Sequence, residues 1–178
     1  MNSDGDRVAI GAPYNDDGGG NAGHVRVYAY SGDPLSWSQL GGDIDGDAGN
    51  DWSGVSVSMN SAGDRVAIGA PYNDGSGTDA GHVRIYEYSS SSWSQLGGDI
   101  DGDAGNDWSG YSVSMNSDGD RVAIGAPYND DGGGNAGHVR VYEYSSSSWS
   151  QLGSEKDGDA SRDQSGWSVP INSDGDRV

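Results

Sequence analysis

The chain has 178 residues, enough for one ordinary domain, and its formal charge of −19 reflects 28 acidic against only 9 basic residues. So few cations exclude a nucleic-acid partner and disfavour anionic membranes, and no apolar run is long enough for direct membrane insertion. Glycine is abundant at 32 residues, Phe and Cys are absent, and helix-forming residues are scarce, so we expect an all-β fold without disulfides.

The sequence repeats itself at a fixed period. The segment DRVAIGAPYN begins at Asp6, Asp64 and Asp120, which gives spacings of 58 and 56 residues. The two extra residues of the first period lie within residues 31–36. Self-similarity at this period indicates a propeller or a solenoid. We therefore predict a single array over residues 1–178, with units at about 6–63, 64–119 and 120–175.

Each unit contains four strand candidates, best seen in the second copy. Residues 55–59 alternate apolar and polar side chains, and residues 65–70 follow a short turn. Residues 82–88 form the third candidate and residues 93–96 the fourth. Four short strands in about 56 residues without a helix are typical of a β-propeller blade. We name them strands A to D and predict about three four-stranded antiparallel blades, an incomplete or oligomer-completed propeller.

The connections between these strands sort by length and charge. In an antiparallel meander the chain reverses at every step, so the A–B and C–D turns share one end of the sheet. The B–C loop and the D–A crossover must then share the opposite end. Those two connections are long, Gly-rich and acidic, and they hold eighteen of the 28 acidic residues. One face of the array is therefore predicted to be strongly negative.

Three sequence segments carry a family resemblance. They are SGYSVS at residues 109–114, VAIGAP at 122–127 and GHVRVY at 137–142. Their order resembles the FG-GAP repeat, which builds the N-terminal propeller of integrin α subunits. The resemblance implies a seven-bladed ring, an extracellular or cell-surface location, and non-enzymatic adhesion or recognition of a protein or glycan. It also places ligands on the face that carries the B–C and D–A connections.

The chain departs from that family in two places. Ser-Gly stands where the family has Phe-Gly, as at Ser53 and Gly54. The family's calcium loop between strands A and B is replaced by residues 116–121, which are too few to form it, so this metal site is not carried over. A WD-repeat interpretation is weaker, because Trp52 follows Asp51 inside an acidic loop instead of preceding an Asp at a strand end.

The D–A crossovers suggest a different calcium site. Residues 99–107 place carboxylates at positions 1, 3, 5 and 9 of a Gly-containing loop. Calcium takes six to eight oxygen ligands, which alternating carboxylates on a flexible loop can supply. The alternative is a solvated Asp/Gly crossover with Asx turns. The predicted ligands, besides Glu155, are Asp43, Asp45, Asp47, Asp51, Asp99, Asp101, Asp103, Asp107, Asp157, Asp159 and Asp163.

The ligand-binding candidates lie beside these crossovers. Aromatic residues near the acidic loops could form a carbohydrate platform. His24, His82 and His138 share one position on strand C and are predicted to be a structural polar row, because no nucleophile accompanies them. We therefore predict no enzymatic activity. The predicted ligand-binding residues are Asp16, Asp17, Trp52, Asp74, Asp79, Trp108, Tyr111, Asp130, Asp131 and Trp167.

The first blade lacks a strand A, and residues 167–172 provide a surplus one. Two explanations stay open: the chain is part of a longer array, or the surplus strand completes the first blade of a neighbouring copy in a homo-oligomer. Two functions also stay open. The first is adhesion or recognition through the acidic face, with or without calcium, and the second is a structural spacer or fibre unit without a specific ligand.

Overall fold

The computed structural model describes residues 1–32 and 36–178 and contains three antiparallel β-sheets. Residues 33–35, part of the inserted stretch of the first period, lie outside the described residues. All regular structure in the described ranges is strand, and no described segment forms a helix that could cross a membrane. The predicted all-β fold of propeller blades is confirmed.

The strands follow one another in the same order in every sheet. Those of the first sheet are β1 (Arg7–Ala12), β2 (His24–Tyr30), β3 (Trp37–Gln39) and β4 (Ile44–Asp45). Those of the second are β5 (Ser56–Met59), β6 (Arg65–Ala70), β7 (His82–Ser89), β8 (Ser92–Gln95) and β9 (Ile100–Asp101). Those of the third are β10 (Ser112–Met115), β11 (Arg121–Ala126), β12 (His138–Ser145), β13 (Ser148–Gln151) and β14 (Lys156–Asp157).

The second sheet shows the complete blade. β5, β6, β7 and β8 pair in sequence order as the predicted strands A to D. The acidic crossover adds a strand that the sequence pattern does not reveal, because β9 pairs with the start of β7 through His82 and Asp101. β8 pairs with the end of β7, where Tyr86 lies opposite Gln95. Strand D and the two-residue strand thus divide the outer edge of strand C.

The surplus strand A is a wrong prediction. Residues 167–172 form no strand in the structure, since no strand B runs beside them to complete a hydrogen-bonded ladder. The segment is still held in place, because Val169 and Ile171 pack against Ala123, Val139 and Val141 of the third sheet. Apolar contact with the sheet face therefore positions this segment without ladder pairing.

The hydrophobic core lies between the sheets. Val25 and Ile44 of the first sheet pack on Val66 and Ile68 of the second, and the half-buried Tyr86 joins them. The second and third sheets repeat the same contact, in a cluster of Ala67, Val83, Ile85, Ile100, Met115, Val122 and Ile124. On the first sheet Ile10, which corresponds to Ile68, is 51% exposed. Each sheet thus buries its faces against neighbouring copies.

A tryptophan on strand D connects each blade to the preceding one. Trp93 packs into the first interface, and its indole Nε1 donates a hydrogen bond of 2.7 Å to the carbonyl of Leu40 in the preceding blade. Trp149 does the same with the carbonyl of Leu96 at 2.8 Å. Trp37, at the same position of the first blade, is 44% exposed. The seated rings therefore contribute both apolar burial and a hydrogen bond to the stack.

Two glycines allow the backbones of adjacent blades to touch. A Cβ added to Gly69 on β6 would lie 2.0 Å from the carbonyl oxygen of Gly110, which precedes strand A of the next blade. Gly110 itself has a φ of 86°, a left-handed conformation that side chains other than glycine's disfavour. The same contact joins Gly11 to Gly54 and Gly125 to Gly166. This close approach explains why both repeated motifs contain glycine.

We expect Gly69→Ala to destabilise the protein by about 3 kcal/mol or more, because its Cβ would overlap the neighbouring backbone. Gly98→Ala is the matched control, since a Cβ there meets no atom within 4 Å, and we expect a change within about 0.5 kcal/mol. Urea denaturation of both variants provides the measurement. Equal stability of the two would contradict the proposed backbone contact.

We expect Trp93→Ala to cost about 2–4 kcal/mol, because it removes the ring and leaves the Leu40 carbonyl without its donor. Trp37 occupies the same blade position but is exposed and, in the described part of the chain, bonds to no preceding blade. We therefore expect Trp37→Ala to cost less than about 1 kcal/mol. Thermal and urea unfolding compare the two. An equally large loss of stability in Trp37→Ala would contradict the interface role, because the ring would then act within its own blade.

Candidate ligand-binding face

The B–C loops and the D–A crossovers pack against each other at one end of the sheets, as strand parity predicts. In the first blade the amide of Ser53 donates to the carbonyl of Ala22 at 2.9 Å, and that of Gly46 donates to Gly23 at 2.8 Å. The second and third blades repeat these bonds. We call the surface formed by residues 13–23, 71–81 and 127–137 with crossovers 40–55, 96–111 and 152–167 the acidic-loop face.

The predicted aspartates of the B–C loops have two different roles. In each loop the first aspartate accepts a hydrogen bond from a backbone amide five residues later, which closes the loop. These aspartates are Asp16, Asp74 and Asp130, and Asp79 supplies one of the amides. Asp17 and Asp131 are exposed, and the side chains of Asn15 and Asn129 hold their backbone amides at 2.9 Å.

Arginines of strand C bind the crossover carboxylates. Arg26 contacts Asp43 with Nε and Nη2 at 2.9 and 2.6 Å, and this pair lowers the pKa of Asp43 to about 2. Arg84 makes the same contact with Asp99 at 2.8 and 2.6 Å, which also lowers that carboxyl's pKa. In the third blade Arg140 Nε donates to Glu155 at 2.7 Å.

Two of these arginines also connect neighbouring blades. Arg84 forms a second ion pair with Asp47 of the preceding crossover, and Arg140 forms one with Asp103. Each guanidinium therefore lies between carboxylates of two blades. Exposed ion pairs contribute little on their own, but a bidentate pair extended to a second carboxylate fixes the crossovers relative to each other.

The last carboxylate of the first two crossovers is buried. Asp51 and Asp107 are 3% and 4% exposed, and they accept hydrogen bonds of 2.7 and 2.9 Å from the side chains of Asn73 and Asn129 in the next blade. Burial raises the pKa of both carboxyls. In the third crossover Asp163 is exposed and accepts from the amide of Ala160. These aspartates act as connectors between blades.

The carboxylates predicted to bind calcium thus face several different partners. In the first crossover Asp43 pairs with Arg26 and Asp47 pairs with Arg84. Asp51 accepts a hydrogen bond from Asn73. The remaining predicted ligands are exposed, namely Asp45, Asp101, Asp157 and Asp159. An ion in these loops would compete with the arginines for the carboxylates. Calcium binding at the crossovers stays a prediction.

Aromatic side chains form a continuous row along the acidic-loop face. Adjacent ring centroids lie 4.3–4.8 Å apart through the first five members, which are Tyr14, Trp52, Tyr72, Trp108 and Tyr128. Tyr111 and Trp167 extend the row, with a centroid distance of 4.7 Å between them. We call these seven residues the Tyr–Trp row. The structure thus brings the predicted Trp52, Trp108, Tyr111 and Trp167 together across three blades.

Two members of the row have an unusual backbone conformation. Trp52 and Trp108 have φ values of 56° and 58°, in the left-handed region that large side chains disfavour. Their amides bond to the carbonyls of Asn21 and Asp79 at 3.2 Å, which anchors the strained turns to the B–C loops. Such strain concentrates at functional sites and costs roughly 1–3 kcal/mol per residue.

The tyrosines of the B–C loops were not among the ligand-binding residues predicted from the sequence. Tyr14, Tyr72 and Tyr128 follow the Pro that ends each strand B, and they separate the tryptophans of the row. Their recurrence in the repeated PYN segment was the available signal. The histidine row is buried, since His24, His82 and His138 are 4–5% exposed at the start of strand C.

Comparisons with known proteins agree with this architecture. Residues 100–142 match the family model of the FG-GAP repeat, which confirms the resemblance for that segment. No curated protein sequence matches the chain significantly. The fold and the repeat together define a propeller-type module built from FG-GAP-like blades.

Two solved structures are similar to the chain at 9% sequence identity. One is a Bacteroides uniformis protein provisionally assigned as a 6-phosphogluconolactonase, with a TM-score of 0.53 over 86% of this chain and 38% of that one. The other is the Kuenenia stuttgartiensis hydrazine synthase, with a TM-score of 0.44 over 77% of this chain and 32% of that one. The chain thus spans well under half of either structure, and the first likeness shows the β-propeller fold alone.

We expect Asp51→Ala to cost about 1–3 kcal/mol, because it leaves the buried amide of Asn73 without its acceptor. Asp163→Ala, the same repeat position in an exposed setting, should cost less than about 1 kcal/mol. Asp51→Asn keeps an acceptor and removes the buried charge, so it should retain most of the stability at pH 7. Urea midpoints compare the three variants, and equal losses for both alanine variants would contradict the connector role.

Proposed function

We propose that the chain is a non-enzymatic binding module, extracellular or on a cell surface, that recognises a glycan or protein through the acidic-loop face. The single observation that carries this proposal is the Tyr–Trp row. Seven aromatic rings from all three blades line one surface. The residues at the two ends of the row are exposed to solvent, Tyr14 by 62% and Trp167 by 47%. Ligand sites in proteins combine aromatic walls with a few placed polar groups, and the row has both within reach.

The composition of this face favours an uncharged carbohydrate. Indole and phenol rings present apolar faces and a polar edge, which suits the mixed surface of a sugar ring. Exposed carboxylates of the same loops, such as Asp17 and Asp131, are suited to accept hydrogen bonds from hydroxyl groups. The net charge of −19 disfavours an anionic ligand. A cationic peptide segment is the second ligand class that these rings and carboxylates suit.

The choice of tryptophan at positions 52 and 108 supports a binding role for the row. A glycine at either position would adopt the left-handed backbone without steric cost. Indole rings instead occupy both positions and contact the tyrosines on either side. Gln164 of the third crossover has the same left-handed conformation, with a φ of 54°, so the turn belongs to the repeat and the indole rings at two of its three positions are the feature that favours binding.

The non-enzymatic part of the proposal rests on the FG-GAP match and on how the polar residues are used. Arg84 and Arg140 are engaged in ion pairs between blades, and Asp51 and Asp107 bond to asparagines of the next blade. These groups have structural partners that account for their positions. Their chemistry is that of a scaffold presenting a surface.

A structural spacer or fibre unit is the second candidate function. It is supported by the seated tryptophans and by the glycine contacts, which stack the blades through direct contact with neighbouring copies. In this alternative the acidic face provides solubility, and the aromatic row contributes only to packing. The two candidates differ in whether the face binds a ligand saturably.

Screening the chain on glycan and protein arrays, with and without millimolar calcium, tests the proposal. We expect saturable binding to a carbohydrate, and we expect Trp108→Ala to weaken it by about tenfold or more. Trp37→Ala is the matched control, because this exposed indole lies on the outermost strand and outside the Tyr–Trp row. Circular dichroism establishes that both variants are folded.

Absence of saturable binding on either array would favour the spacer function. Binding that Trp37→Ala and Trp108→Ala reduce equally would remove the row from the recognition surface. Binding that requires calcium would support the crossover prediction, provided that neutralising Asp45 and Asp101 together abolishes the calcium effect.

A further inference from the structure

Two buried histidines have a ring nitrogen without a hydrogen-bond partner. His24 and His138 are each 4% exposed, and within the described residues their Nδ1 atoms are the buried side-chain atoms that make no hydrogen bond. Buried polar atoms in native proteins almost always have a partner. Both nitrogens therefore point to an unidentified ligand.

Two carboxylates face the nitrogen in the first blade. The Nδ1 of His24 is 4.0 Å from Asp17 Oδ2 and 3.9 Å from Asp43 Oδ2. The corresponding residues of the third blade are Asp131, His138 and Glu155, and in each trio the ligand atoms lie within 4.8 Å of one another. Each trio combines one residue from the B–C loop, one from the start of strand C and one from the crossover. This arrangement recurs in two blades although its members are distant in sequence.

The distances suit a small cation after a minor adjustment. Zinc binds nitrogen and oxygen ligands at about 2.0–2.2 Å in tetrahedral geometry, which places neighbouring ligand atoms about 3.3–3.5 Å apart. The distances of 4.0 and 3.9 Å from His24 Nδ1 to the Oδ2 atoms of Asp17 and Asp43 would each have to shorten by about half an ångström. Asp17 can make that movement by giving up one hydrogen bond, because its side chain is 65% exposed on a Gly-rich loop and its Oδ2 accepts only a 3.3 Å bond from Nδ2 of Asn15.

Neighbouring side chains hold the carboxylates in position. Asp43 accepts two hydrogen bonds from Arg26 and one from Gln39 at 2.5 Å, while Asn15 holds the backbone of Asp17. Ligating carboxylates in metal sites are commonly fixed by such outer contacts. The guanidinium of Arg26 also carries positive charge close to the site, so we expect moderate affinity.

We propose that Asp17, His24 and Asp43, and equally Asp131, His138 and Glu155, each bind a divalent transition-metal ion of the zinc type. One imidazole nitrogen and two carboxylates provide three protein ligands, and water completes the coordination. The nitrogen donor selects this class over calcium and magnesium, which bind oxygen ligands. The proposal does not depend on ligand recognition or on calcium binding, although the trios share Asp17 and Asp131 with the acidic-loop face and Asp43 and Glu155 with the predicted calcium ligands.

The second blade supplies a natural comparison. Gly75 occupies the position of Asp17 and Asp131, so His82 lacks the carboxylate from the B–C loop. His82 instead lies near Asp99 and Asp101, which both come from one crossover. The backbone of Gly75 bonds to Asn73 at 2.8 Å, just as that of Asp131 bonds to Asn129 at 2.9 Å. A Cβ at Gly75 would lie 2.8 Å from Oδ1 of Asn73, so Gly75→Asp requires a small shift of that side chain and should then create a third site.

Isothermal titration with Zn²⁺ and optical titration with Co²⁺, both on the full chain, test the proposal. We expect two ions per chain, one after Asp17→Gly, and none after combined His24→Ala and His138→Ala. Gly75→Asp should raise the number to three, and His82→Ala should leave it at two. Circular dichroism in the absence of metal checks the fold of every variant.

Three outcomes would overturn the assignment. One is the absence of binding at millimolar Zn²⁺, and another is binding that the double histidine variant leaves intact. The third is a third ion in the unmodified chain that His82→Ala removes, because the B–C carboxylate would then be unnecessary. The Gly75→Asp variant adds a gain of binding, which a folding defect cannot imitate.

Discussion

A four-stranded sheet has two faces, and in this chain the burial of those faces depends on the neighbouring copy of the sheet. The clusters around Val66 and Val122 each combine strands of two blades, and their fully buried side chains belong to interfaces rather than to single sheets. Stability in such arrays is a sum of unit and interface contributions. The glycine contacts and the seated tryptophans follow from this constraint, because they let the sheets approach closely.

Some of the acidic residues have a structural role that the net charge alone does not reveal. Arg84 and Arg140 each pair with carboxylates of two blades, and Asp51 and Asp107 are buried against asparagines of the next blade. A chain with only nine basic residues places three of them, one per blade, on strand C beside the crossovers. Much of the negative charge nearest the interfaces is therefore paired, and the unpaired carboxylates remain on the outer part of the acidic-loop face.

The strands, their order and the end of the sheet that carries the acidic loops could be predicted from the sequence, because alternation and repetition are local signals. The strands β4, β9 and β14 could not, since two-residue pairing depends on where a loop returns in space. The same holds for His24, which looks like one polar member of an alternating strand. Its burial and its carboxylate neighbours arise from two loops folding over the start of strand C. The left-handed backbone of Trp52 likewise depends on its bond to the opposite loop.

Both proposed sites depend on the contact between the B–C loop and the D–A crossover of one blade. That contact sets the position of Trp52 through the carbonyl of Asn21, and it brings Asp17 and Asp43 to opposite sides of His24. The two sites nevertheless use different parts of the loops, since the row follows the start of strand A and the histidine trios lie at the start of strand C. The natural replacement of Asp17 by Gly75 in the second blade alters the trio and leaves Tyr72 in the row. One loop pair can therefore vary its proposed metal ligands without altering its aromatic surface.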